Sequence, residues 1–214
     1  MNKVTVFADF DFIPSAEPVG VFFHERIRGN DAFRFQLFPS WLEEHGSIYF
    51  CADLQNSTGW QYTTDNMFGC FEDALPDRWG RTLIDLRERD MAKNEGRQPR
   101  LFSSFDYLCQ LDDTTRMGGF RFKLGESEVF LNSVEELTIP PLTSIRKLSE
   151  VSLNLERNLL NRETPQAKWL RQLYAPGCSL GGARPKANVL DTNGNLMVAK
   201  FASHNDSIDI GLWE

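Results

Sequence analysis

Residues 177–190 read GCSLGGARPKANVL. A loop that grips phosphate needs backbone N–H groups turned inward, approach without a Cβ in the way, and a cation for the remaining charge. Gly181 and Gly182 supply the first two, and Lys186 or Arg184 the third. A second lysine, Lys200, ends the run VAKF a short way on. At 4 Å and an effective dielectric near 20, one Lys–phosphate contact contributes roughly 4 kcal/mol before desolvation. Two lysines on adjacent strands can therefore hold a triphosphate. The same residues also fit a plain surface turn, and the stretch is neither G-x-x-x-x-G-K-[ST] nor G-x-G-x-x-G. Ser179 fits a turn serine bonded to its own backbone just as well.

The elements that must position this loop follow from periodicity and breakers. KVTVFAD, PVGVFF and FRFQLF alternate as strands, with RGND as a turn, which predicts an antiparallel meander at the N-terminal end. Of the 17 Phe residues, Phe33 and Phe35 alternate as core residues do. Pro76 and Asp77 start a helix over 77–92, with Trp79, Leu83 and Leu86 on one face. SSFDYLCQL is a short helix capped by Ser103 or Ser104, and RMGGFRFKLG leads into another strand. After the proline-rich TIPPLTS, Ser144 can cap a helix carrying Ile145, Leu148, Val151, Leu155 and Leu159. Thr164 and Pro165 start one more, with Trp169, Leu170 and Leu173, ended by Pro176 and Gly177. The tail predicts a hairpin: a strand at Asn188 to Leu190, the Asn-Gly turn of DTNGN, and a strand at Leu196 to Phe201. The fold class is α+β.

Composition excludes several classes. The 214 residues, 41% of them hydrophobic, can bury one sizeable core or two small ones. A net charge of −7 and a pI near 5.1 argue against direct gripping of a nucleic-acid backbone. No apolar run nears the roughly 20 residues that span a bilayer, and acidic residues interrupt MNKVTVFADFDF where a signal peptide needs its apolar core. A cytoplasmic protein is expected. Cys51, Cys70, Cys109 and Cys178 are well separated in sequence and form no C-x-x-C pair, so neither a zinc knuckle nor a disulfide framework is expected, and most are expected to be small core residues or inert thiols. His24, His45 and His204 match no metal spacing, so no metal site is expected.

Several segments, in order, resemble the HipA-like serine/threonine kinases, the toxins of bacterial type II toxin–antitoxin pairs. They are PVGVFFHERIRGNDAFRF, GCFEDALPDRWGRTLI, FDYLCQL with TRMGGFRF, SLGGARPKA and VAKF, and together they cover nearly the whole chain. Lys200 in VAKF also resembles the strand lysine of V-A-I-K in kinases. The resemblance implies residues 1–125 as a HipA N-terminal subdomain and 126–214 as the start of the kinase domain, a kinase-like N-lobe with a Gly-rich β-hairpin. It implies that Gly181, Gly182, Ala183, Arg184 and Lys186 hold ATP phosphates, with Lys200 aligning them. Ser179 falls on the serine these kinases autophosphorylate, and a phosphoserine beside Lys186 and Arg184 adds about −1.5 to −2 charge, enough to re-dock a loop. Glu214 falls where the family places a glutamate partner for the lysine. The implied cofactors are ATP and Mg, and the implied partners are a HipB-like helix-turn-helix antitoxin and, for the complete kinase, a protein substrate. No membrane contact or direct nucleic-acid contact is implied.

Phosphoryl transfer also needs an Asp to orient the nucleophile and carboxylates to hold magnesium. Nothing in the 214 residues resembles H-R-D-x-x-x-x-N or D-F-G, and DFDF at Asp9 to Phe12 precedes the nucleotide loop. The expectation is the front part of such a kinase, not catalytic as it stands. The alternative is a free-standing, non-catalytic HipA-N-like accessory or antitoxin-type binding protein.

Overall fold

Alternation in VTVFA and FRFQL gives each strand one apolar side, and strands of that kind pair so that the apolar sides share a face. The computed structural model describes residues 2–63, 67–131, 139–161, 163, 165–177, 182–204 and 206. Its strands are β1 (Asn2–Ala8), β2 (Glu17–Ile27), β3 (Asn30–Leu37), β4 (Gln61–Thr63), β5 (Phe120–Leu124), β6 (Lys186–Leu190) and β7 (Leu196–Lys200). Its helices are α1 (Pro39–His45), α2 (Gly69–Glu72), α3 (Arg78–Asn94), α4 (Ser104–Cys109), α5 (Ile145–Leu160) and α6 (Ala167–Gly177). The α+β class is as expected. Among the described residues no helix is long and apolar enough to cross a membrane. The chain divides into two compact units, Met1–Leu75 with Phe102–Ser133, and Pro76–Leu101 with Val134–Glu214.

The first unit holds a five-stranded antiparallel sheet in the order β4-β3-β2-β1-β5. The meander is therefore present, and the strand after Gly119 joins its β1 edge. RGND forms a two-residue turn in which Arg28 (φ 51) and Gly29 (φ 88) are both left-handed, the twist that suits a tight hairpin. Val4, Val6, Phe22, Phe33 and Phe35 lie buried with Trp41 of α1, Phe71 of α2 and Phe105 of α4. The Phe71 ring meets those of Phe22, Phe35 and Phe120 at 5.2–5.4 Å, so a large share of the phenylalanines packs in this core. Inside it, the buried Arg116 guanidinium donates to the carbonyls of Ala74, Leu108 and Leu111, each at 3.0 Å. Burial pushes its pKa down to about 10. Ser103 caps α4 in a reciprocal box with Asp106.

Two sequence expectations need qualification here. Cys51 and Cys70, distant in sequence, hydrogen-bond through their thiols, and Asp53 accepts from Cys51 and from the Gly69 N–H at 3.0 Å. Burial first, then this pairing, pushes the Cys70 thiol far up. His45 meets Glu17 (Nε2 to Oε2, 2.9 Å) with Glu44 nearby, a clasp between α1 and β2 that histidine spacing could not show.

The second unit is helical with one ribbon. α3 buries Trp79, Leu83, Ile84 and Leu86; α5 buries Leu148, Val151 and Leu155; α6 buries Leu170 and Leu173. α3 and α5 both pack on α6, and α6 packs on β6. Ser144 makes no side-chain cap bond; a short 3₁₀ turn, Leu142–Ser144, feeds directly into α5. Pro176 lies in the last turn of α6, which ends at Gly177. β6 and β7 pair antiparallel around Asp191, whose carboxylate accepts from the Asn193 and Asn195 N–H groups at 2.8 Å. Glu88 of α3, only 3% exposed, is held by Arg97 and Arg100, which depress its pKa to about 2.

Candidate functional site

The described part of the glycine loop, from Gly182 onward, lies in the second unit beside the start of α3, the end of α6 and the ribbon. Ser179, Gly181 and Glu214 lie outside the described residues. Gly182 is exposed at φ +91, a conformation that an L side chain rarely takes. Its carbonyl accepts from the Trp79 N–H at 3.2 Å, and its N–H donates to the Asp77 carboxylate. The Trp79 indole Nε1–H donates to the Lys186 carbonyl at 3.1 Å. LPDRW and GGARPK, widely separated in sequence, are therefore joined at their backbones.

Gly177 is buried in the same joint. A Cβ there would stand 2.7 Å from Leu83 Cδ1 and 3.2 Å from both the Lys186 carbonyl and Trp79 Nε1. Only a residue without a side chain lets α6 turn away this close to α3 and β6.

The lysines share one position on the ribbon: Lys186 and Lys200 are direct cross-strand partners. Like charges placed opposite each other are unfavourable unless an anion lies near. Lys186 Nζ rests against Gly182, 2.5 Å from where a Cβ would stand. Its pKa is lowered by partial burial, opposed by the attraction of Asp77 and assisted by the repulsion of Lys200. Arg184 turns instead to Asp206, Nη2 to Oδ1 at 2.7 Å, and Asp206 also accepts from the Ser203 N–H at 2.9 Å. Ala183 is exposed beside them. A hollow of about 430 Å³ opens here, walled by Arg78 and Thr82 of α3, Glu156 of α5, and Ala183, Arg184 and Asp206. Neither Lys186 nor Lys200 is among its described walls.

No family model, curated protein or solved structure matches the chain. What the arrangement can do rests on its own chemistry. Of the predicted residues, the Lys186 ammonium lies against the positive-φ Gly182, and Lys200 stands opposite Lys186 on the ribbon. Arg184 is drawn into an ion pair, and Ala183 lines the neighbouring hollow. Asp77, Trp79, Gly177 and Asp206 were not singled out as site residues from sequence. The one available signal was Pro76-Asp77 at a helix start, which points to a cap and not to a glycine beyond the next helices.

Proposed function

We propose that the chain is the front part of a HipA-like serine/threonine kinase, with 179–186 as its ATP-phosphate loop. The observation that carries this reading is the Lys186 ammonium against Gly182, with Lys200 directly across the ribbon from Lys186. A glycine without a Cβ and two facing ammonium groups are what a polyphosphate needs. The donor set fits phosphate and not magnesium, since Asp77 accepts from Gly182 and Asp206 pairs with Arg184. On this reading magnesium and the hydroxyl-orienting carboxylate belong to other motifs of a complete kinase. A helix-turn-helix antitoxin is then the partner, and the cytoplasm the compartment.

Calorimetric titration of the 214-residue chain with ATP tests the reading. Weak, saturable binding is expected, with no hydrolysis and no phosphate on Ser179, and Lys200→Ala should lower affinity roughly tenfold or more. Equal affinity before and after that change removes the role given to Lys200.

One observation favours the accessory-protein reading. β7 leaves Leu196, Met197 and Val198 about half exposed on a two-stranded ribbon, an apolar edge suited to a covering partner. Under that reading the chain binds its partner through this edge and shows no ATP affinity.

A further inference from the structure

An aspartate at a helix N-cap ordinarily turns its carboxylate back onto the N–H groups of its own first turn. Asp77 stands at that position of α3 and makes no such bond. Its carboxylate reaches out of the helix and accepts the N–H of Gly182. The Gly182 carbonyl in turn accepts from Trp79, so both polar groups of the glycine face the first turn of α3. The Lys186 ammonium, set against Gly182, feels the same carboxylate. A backbone N–H on a glycine and an adjacent ammonium are the donors that a phosphate oxygen seeks.

We propose that Asp77 is the resident anion of the glycine loop, occupying the Gly182 N–H until an incoming phosphate displaces it. The proposal rests on the reading of 179–186 as a phosphate loop, and adds how that loop is regulated. Asp77 and Gly182 are both exposed, so the exchange needs no opening of a core. Gly182 then has two arrangements: docked on α3 through Asp77, or turned to the ligand. Apparent affinity is lowered by the fraction held in the docked arrangement.

The test compares wild type, Asp77→Asn and Asp77→Ala by calorimetry, with ATP and with inorganic tripolyphosphate as probes, and circular dichroism reports whether each chain is folded. Asp77→Asn keeps the size and an acceptor while removing the charge, so it decides the matter if Asp77→Ala does not fold. Removing the competing charge should tighten binding of both probes roughly fivefold to tenfold, with a weaker effect at high salt. If wild type binds and neither variant binds more tightly, Asp77 is no competitor, and the phosphate-loop reading survives alone. If no form binds either probe, the reading and the proposal fall together.

Discussion

At the scale of single residues, charge decides what the site does. Lys186 and Lys200 face each other across the ribbon, and partial burial lowers the pKa of Lys186. The protonated lysine is the form that attracts phosphate. Binding should therefore weaken as pH rises, and should begin to do so below the range of an ordinary lysine; titrations across alkaline pH check this. Glu88 shows the opposite sign. Its folded pKa, about 2, lies below the ordinary glutamate value, so its contribution is present above that ordinary value and is lost as pH falls through about 2. Glu88→Gln should cost on the order of 2–3 kcal/mol near neutral pH, discounted for the exposed arginines, and the deficit should shrink in acid. Urea melts at several pH values measure it. Gly182→Ala should be strained at φ +91 by about 1–2 kcal/mol and should also displace Lys186, so both melting temperature and phosphate affinity should drop.

At the scale of elements, most of the secondary structure was legible because periodicity is local. VTVFA, FRFQLF and the Trp79–Leu83–Leu86 stripe name their own buried faces, and the Asn193-Gly194 turn marks its hairpin. What joins the elements was not legible. Between Asp77 and Gly182 the chain runs through α3, α4, β5, α5 and α6, and no local pattern announces that a capping residue will reach a distant glycine. Ser144 stands at the N-cap of α5, where a serine before an apolar stripe predicts it, but a 3₁₀ turn leads into the helix there and its side chain makes no cap bond. The joint between α3, α6 and β6 can be probed directly. Trp79→Phe removes the indole donor to the Lys186 carbonyl and some buried volume, and should destabilise the second unit by about 1–3 kcal/mol. Thermal melts followed by tyrosine and tryptophan fluorescence would show it.

At the scale of the whole molecule, the two units are each assembled from separated stretches, so α3 follows the N-terminal meander in sequence yet folds with the glycine hairpin. Contacts bring Pro76–Leu101 to Val134–Glu214 because the apolar face of α3 matches α6. The aromatic core of the first unit should be sensitive in its own right: Phe71→Ala should cost about 3–5 kcal/mol by the cavity it leaves, read as a lower urea midpoint.

The central claim, that the hairpin takes a polyphosphate between Gly182, Lys186 and Lys200, is most directly tested by amide NMR during a tripolyphosphate titration. Saturable shifts concentrated at Gly182, Lys186 and Lys200 are the predicted result. Unmoved resonances at those three residues, at concentrations that perturb other lysines, would contradict it.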